Sequence, residues 1–415
     1  MKRFLLSTLV TAATLLPALA RHYVGGDISL LPEYENAGAE YLDRSGNNVG
    51  DLLDYSHREG LNLMRVRLFV NPEKYTGTDR DPNACQDFDY ILPLCKRIQA
   101  TGHALMLDFH YSDFWADPQK QWTPADWASL SDEDLYQKIY DYTRRVLEDL
   151  KAEGVVPEFI QTGNEISYGM LWGKAGTSSP KKVMMGTEAN WPRFIKLLQQ
   201  AGKACREVCP DTKIIIHTER VKSDAETLNF YNHLKDLDYD VIGLSYYPYW
   251  HGALSRLESI LKLLTSNYPQ KEIQIVETGY PYKWEVPGSD YDYTATYPYS
   301  DQGQASLTRD LVKLSRRYGQ VTAIVWWWME YNAYGTNLQG WYNAPLFDST
   351  TGRVSSAMAE LAKFGDTSGI EEIGADNASP ENDAPCWYDL QGRRYRERPA
   401  SPGLYIHKGK KVIVR

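Results

Sequence analysis

Two glutamates stand where apolar runs stop. Gln161-Thr162-Gly163-Asn164-Glu165 closes one run and Val276-Glu277-Thr278-Gly279-Tyr280 closes another, 112 residues further on (277 − 165). Two carboxyl groups facing one bond are the equipment for cleaving an acetal: one carries a proton to the leaving oxygen, the other stays ionised beside the carbon under attack. Their surroundings must push the two pKa values apart. Trp and Tyr side chains crowded at Glu165 would desolvate it and raise its pKa, and an arginine beside Glu277 would hold that group ionised. Arg65 and Arg67 lie two apart and share one strand face. A buried guanidinium without an acidic partner is very costly, which ties Arg67 first, and Arg65 second, to a carboxylate across the fold. Taken singly, each glutamate is equally well a cap or salt-bridge residue at a strand end. The pair with two inward arginines is harder to explain by packing.

Other runs end in residues that packing alone would not choose. Asp108 and His110 share a face, and a metal site is one alternative for them; no third ligand is evident and the HExxH spacing is absent. Further on come His217-Thr218-Glu219, then Tyr246-Tyr247-Pro248-Tyr249-Trp250, then Trp326-Trp327-Trp328-Met329-Glu330. Tyr246 is a candidate donor to Glu277, and Trp328 a candidate floor for a sugar through its apolar ring face. Trp326 and Trp327 read as core.

These ends need a scaffold that brings them together. Strand-like runs at 23–29, 62–70, 103–111, 158–165, 213–219, 241–248, 272–281 and 321–330 alternate with amphipathic stretches at 50–59, 90–101, 133–152, 191–208, 225–236, 254–265, 302–317 and 355–364. The runs are short and near-continuously apolar, as parallel strands covered on both faces are. Eight such repeats predict an α/β fold, a closed (β/α)₈ TIM barrel over 21–364, in which chemistry collects at the carboxyl ends of the strands. An open doubly wound sheet is the weaker alternative.

The 415 residues carry a formal net charge of −9 with no basic run in the main body, which argues against nucleic acid or an anionic membrane as partner. Thirty Tyr and twelve Trp exceed what a core requires and suit a wet, ring-lined groove. Residues 1–20, a basic start followed by a short apolar stretch and Ala18-Leu19-Ala20, read as an export signal peptide, too short for a membrane span. That places the protein in the periplasm, at the cell surface or outside the cell. The five cysteines, Cys85, Cys95, Cys205, Cys209 and Cys386, are expected to be structural, with a Cys85–Cys95 bridge possible in spacing but not favoured. Gly365–Pro385 reads as a linker, and 386–415 as a short β-type tail with strand-like LYIHK and KVIVR. Nothing argues for an oligomer, so a monomer is expected.

The run DFHYSDFWADPQKQ at 108–121, TGNEIS around Glu165, SYYPYW at 245–250 and VETGYP at 276–281 resemble glycoside hydrolase family 53, the endo-β-1,4-galactanases, over roughly residues 23–364. The resemblance implies a retaining endo-hydrolase of β-1,4-galactan, the backbone of type I arabinogalactan and pectic side chains. It implies Glu165 as acid/base, Glu277 as nucleophile and Asn164 at the sugar 2-hydroxyl. Arg67 and Tyr246 would support Glu277, and Asp108, His110, His217 and Trp328 would line the subsite. Some members of that family bind calcium near strands seven and eight; here Tyr282–Ser300 offers Asp290 and Asp292 without a full oxygen cage, so no required metal or other cofactor is expected. The tail is similar to short C-terminal β segments of exported Bacteroidetes proteins. Two other readings stand beside the hydrolase: a non-catalytic galactan-binding protein on the same barrel, and a retaining hydrolase of another β-1,4-glycan such as mannan.

Overall fold

The computed structural model describes residues 21–178, 180–283, 285–332, 334, 344–366, 387–389, 394–395, 397–399, 401, 403–407 and 410–414. Eight parallel strands close on themselves in chain order: β1 (Tyr23–Asp27), β2 (Leu63–Leu68), β3 (Ala104–Phe109), β4 (Phe159–Thr162), β5 (Lys213–Thr218), β6 (Val241–Tyr246), β7 (Glu272–Thr278) and β8 (Val321–Trp326), with β1 pairing both β2 and β8. A helix follows each strand, and the fold is a (β/α)₈ barrel. The helices begin where polar side chains can accept the first unpaired N–H groups. Asp51, Asp87, Ser131, Ser223, Ser300 and Ser355 each cap the helix that follows. Two short helices, Leu31–Asn36 and Pro248–His251, lie outside the amphipathic stretches read from the sequence, the second beginning at the last residue of the strand-like run 241–248.

The pleat sorts the side chains. Tyr23, Leu63, Met106, Phe159, Ile215, Val241, Val276, Ala323 and Val325 form an apolar plug inside the barrel. Residues on the other strand faces, such as Val24, Val66, Leu107, Ile160, Ile216 and Ile242, join the core beneath the helices. Two residues further along the inward faces, towards the mouth, the plug gives way to polar groups, among them Arg65, Asp108, Gln161 and His217, with Asp27 four residues beyond Tyr23, all buried. Because inward positions repeat every second residue, the strand that supplies a floor residue also supplies a site residue.

One irregularity matters for the site. The β6–β7 register runs Leu244↔Ile275 and then Ser245↔Glu277, and the β7–β8 register also shifts between Ile275 and Thr278. β7 therefore carries one extra residue, a bulge of the kind that re-aims a side chain. Val276 points into the plug, so regular alternation would turn Glu277 outward; the bulge turns it to the mouth instead.

The chain divides into two compact units, Met1–Thr367 and Ser368–Arg415. In the second, β9 (Trp387–Asp389), β10 (Arg394–Tyr395), β11 (Gly403–His407) and β12 (Lys410–Val414) form an antiparallel sheet in the order β10-β9-β11-β12. β11 and β12 coincide with the two strand-like pieces of the tail; β9 and β10 were not foreseen. The expected signal peptide at 1–20, most of the linker and Cys386 lie outside the described residues. Cys85, Cys95, Cys205 and Cys209 are free thiols. No helix among the described residues is long and apolar enough to cross a membrane.

Candidate active site

Arg65 is the hub of the barrel mouth. It is fully buried, and its guanidinium reaches Asp27 at 3.0 Å, Asp108 at 2.8 Å and Glu277 at 2.9 Å, with a further hydrogen bond to Asn164 Oδ1 at 2.8 Å. The expected partnership of Glu277 with Arg67 is therefore corrected. Arg67 pairs with Asp27 at 2.8 Å and lies against the rings of Trp115, Trp327 and Trp328, 4.6, 5.4 and 5.1 Å from their centroids. It builds the aromatic wall and leaves Glu277 to Arg65.

The expected Tyr246–Glu277 contact is corrected as well. The Tyr246 hydroxyl donates to the Gly252 carbonyl at 2.8 Å, in the outer core. Tyr247 donates to Glu277 Oε2 at 3.1 Å. The alternation of β6 explains the exchange: Val241 lines the plug, so 243, 245 and 247 continue the inward face and 246 cannot. Ser245, also inward, donates to Glu277 Oε2 at 3.4 Å, and the same hydroxyl pulls the Glu165 pKa down against burial. The two glutamates thus converge on one hydroxyl.

Glu165 follows β4 in a left-handed conformation, φ 45°, that few non-glycine residues adopt. Trp328 after β8 and Tyr111 after β3 share it, at φ 50° and 49°. Strain of this kind persists only where neighbours fix it. For Glu165 the fixings are plain. Its N–H donates to His217 Nδ1 at 3.2 Å, the next N–H, of Ile166, donates to the His217 carbonyl at 3.0 Å, and Gln121 donates to the carbonyl of Asn164 at 2.7 Å. Gly163, at φ 112°, allows the turn that precedes it.

His217 is neutral, because burial, and then Arg65, hold its pKa well below the usual histidine range. Its Nδ1 accepts from Gln161 at 2.8 Å as well as from Glu165 N–H, so the proton sits on Nε2 and is given to Ser245 at 2.8 Å. Asp108 also meets Gln161 at 2.7 Å and His110 at 3.1 Å. Burial opposes its ionisation, but Arg65 first, and then His110, outweigh burial and its pKa falls. His110 Nδ1 accepts the Ala116 N–H at 3.0 Å, which fixes the loop that carries Trp115. Asp108 and His110 are thus occupied with Arg65 and this loop. Trp327, read as core, stands instead at the mouth, with Arg65 5.5 Å above its ring. Trp326 is core, donating to the Ala344 carbonyl at 2.7 Å.

Sequence reasoning missed Tyr247, Ser245, Trp115, Trp327 and Gln121. Counting every second residue from the β6 plug would have found the first two. The other three depend on loop paths that spacing does not encode.

The electrostatics separate the two glutamates. Burial, the charge of Glu277 and the charge of Glu219 all raise Glu165, well above the ordinary carboxylate range. Glu277 is also raised, to about 7, first by burial; Arg65 and the Tyr247 hydroxyl pull against this, and Asp108 and Asp27 add to it. The expectation that an arginine would simply hold Glu277 ionised is corrected: Arg65 moderates a rise that burial causes. The order nevertheless leaves the proton on Glu165 when one carboxyl loses its own.

Asp290 and Asp292 have other tasks. Asp290 pairs with Lys222 at 2.6 Å, and Asp292 accepts the Thr294 N–H at 2.8 Å. Among the described residues no three His, Cys, Asp or Glu side chains gather in a way that could hold a metal ion.

Residues 23–361 match the model of glycosyl hydrolase family 53. The endo-β-1,4-galactanase of Bacillus subtilis (strain 168) is 32% identical over 73% of this chain and 68% of its own length. The Ignisphaera aggregans GH53 catalytic domain superposes with a TM-score of 0.71 at 30% identity, over 84% of this chain and 97% of that one. A structure from a study of two fungal β-1,4-galactanases gives 0.69 at 28% identity, over 82% and 99%. With its closed barrel and paired glutamates, this chain belongs to glycosyl hydrolase family 53.

Proposed function

We propose that the protein hydrolyses β-1,4-galactan within the chain and with retention of configuration, Glu277 acting as nucleophile and Glu165 as acid/base. The observation that carries this is the asymmetric setting of two glutamates on either side of Ser245: Glu277 is gripped by Arg65 and Tyr247, while Glu165 has neither a guanidinium nor an ammonium partner among the described residues and keeps the higher pKa. The names of the relatives support galactan as the substrate.

In the first step a Glu277 oxygen bonds to the anomeric carbon as the bond to the leaving O4 breaks, and the Glu165 proton goes to that oxygen. Glu165, now ionised, takes a proton from water; the water oxygen bonds to the anomeric carbon and Glu277 departs. This double displacement suits carboxyl groups about 5 Å apart. Asn164, held by Arg65 and by its own donation to the Ala116 carbonyl at 2.7 Å, is placed for the sugar 2-hydroxyl. Asp108, His110 and His217 keep the polar wall in place, and Trp115, Trp327 and Trp328 offer ring surface. The protein works after export; the pattern of residues 1–20 supports this.

Proton NMR of galactan digestion tests the reading. The first reducing ends formed should be β anomers that mutarotate later, with fragments of mixed length early on. First-formed α anomers, or mannan cleaved as fast as galactan, would overturn it.

A further inference from the structure

One more carboxylate at the mouth, beyond those gathered on Arg65, has no part in the two displacement steps. Glu219 follows β5 directly, two residues after His217, and therefore on the same face. His217 points inward, to Gln161 and Ser245, so Glu219 points over the mouth, one level above it. The segment it meets is the one that carries the acid/base. Three successive residues there bind the end of β5: Glu165 N–H to the His217 ring, Ile166 N–H to the His217 carbonyl, and the buried Ser167 hydroxyl to the Glu219 carboxylate.

We infer that Glu219 is a positioning residue for Glu165: fastened by Ser167, its negative charge keeps the proton on the acid/base between turnovers. The inference rests on the hydrolase reading and deepens it. A general acid that has given up its proton must regain it from water, and a neighbouring negative charge favours that return. The charges facing Glu165 come from several elements: Glu277 from β7, Glu219 from the end of β5, and Asp117 from the loop after β3. Asp117 is shared with Lys120 at 3.4 Å and its side chain is about a third exposed, which weakens its field. Glu277 is offset by Arg65. Glu219 has Arg220 beside it, but that guanidinium is engaged by Glu226 at 3.1 Å and lies 4.4 Å over the Tyr168 ring. Burial and the nearby Glu226 raise Glu219 itself, while Arg220 and the Ser167 hydroxyl oppose them, so it and Glu165 titrate as a linked set.

Two substitutions of opposite charge test the inference through the pH profile of kcat/KM on galactan. Glu219→Gln removes a negative charge and should move the alkaline limb down by about one pH unit, leaving the acid limb within a few tenths. Arg220→Gln removes a positive charge and should move the alkaline limb up. A purely structural role for Glu219 would lower the rate at every pH and move neither limb. An alkaline limb unmoved in both variants overturns the inference; if Glu219→Gln does not fold, the direction of the Arg220→Gln shift decides alone. A wild-type protein inert on galactan at all pH values would instead sink the hydrolase reading.

Discussion

At the scale of single residues, Tyr246 and Tyr247 make a natural control pair. They are adjacent and both buried, yet only Tyr247 reaches Glu277. Tyr247→Phe removes a hydrogen bond to a carboxylate that must be ionised, so Glu277 should titrate higher and the acid limb of kcat/KM should move up, with kcat lower by about 10- to 100-fold. Tyr246→Phe leaves the Gly252 carbonyl short of a donor in the outer core. It should cost about 1 kcal/mol of stability in denaturant unfolding and leave the pH profile in place. Equal kinetic effects in the two variants would contradict the assignment. Glu277→Gln removes the nucleophile, and turnover should fall by several orders of magnitude.

Much at this scale was legible in the chain. Glu165, Glu277, Asn164 and the two arginines stand out because charged residues end apolar runs. Which arginine meets Glu277 was not legible, because both share a face and only their depth in the barrel separates them. That Tyr247 and not Tyr246 meets Glu277 was not legible either, because the run alone does not say which face of β6 points inward; Val241 in the plug does. Trp327 was read as core because tryptophans next to a strand usually are.

At the scale of elements, two devices aim the glutamates. The extra residue in β7 turns Glu277 inward, and the turn at Gly163 sets Glu165 in its left-handed conformation. A bulge leaves no mark in an apolar run such as IQIVET, which is why the strand was visible and its aim was not. The strands and helices themselves were well marked, since polar caps and β-branched runs announce them. The two short loop helices escaped because four to six residues carry too little periodicity. Gly163 offers a test. A Cβ there would lie 2.6 Å from Ile166 Cγ2, at a φ that L-residues resist. Gly163→Ala should lower stability by about 1–3 kcal/mol and reduce kcat more than it raises KM, because the turn that places Glu165 must shift. An unchanged kcat in a well-folded variant would mean that this turn does not aim the acid/base.

At the scale of the whole molecule, the barrel mouth concentrates acids that the core cannot fully compensate. Arg65 and Arg67 face Asp27, Asp108 and Glu277, and the buried Glu330 is raised to about 8, first by burial and then by Asp27. Carboxyls raised in the native state hold protons that the unfolded chain has released. The stability they contribute is full below the unfolded value near 4.5 and is lost as pH rises, through about 7 for Glu277. Glu277→Gln should therefore melt a few degrees higher than wild type at pH 8, with the difference shrinking towards pH 4.5. A difference independent of pH would contradict this account. The same balance sets activity: kcat/KM should follow a bell, its acid limb near 7 where Glu277 ionises and its alkaline limb where Glu165 loses its proton.

The nucleophile can be identified chemically. A galactobioside with fluorine at the 2-position and a good leaving group forms its covalent ester quickly and loses it slowly. Peptide mapping by mass spectrometry after such treatment should place the added sugar on Glu277. A sugar found on Glu165, or no covalent adduct in an enzyme that still cleaves galactan, would contradict the two-carboxylate account at its centre.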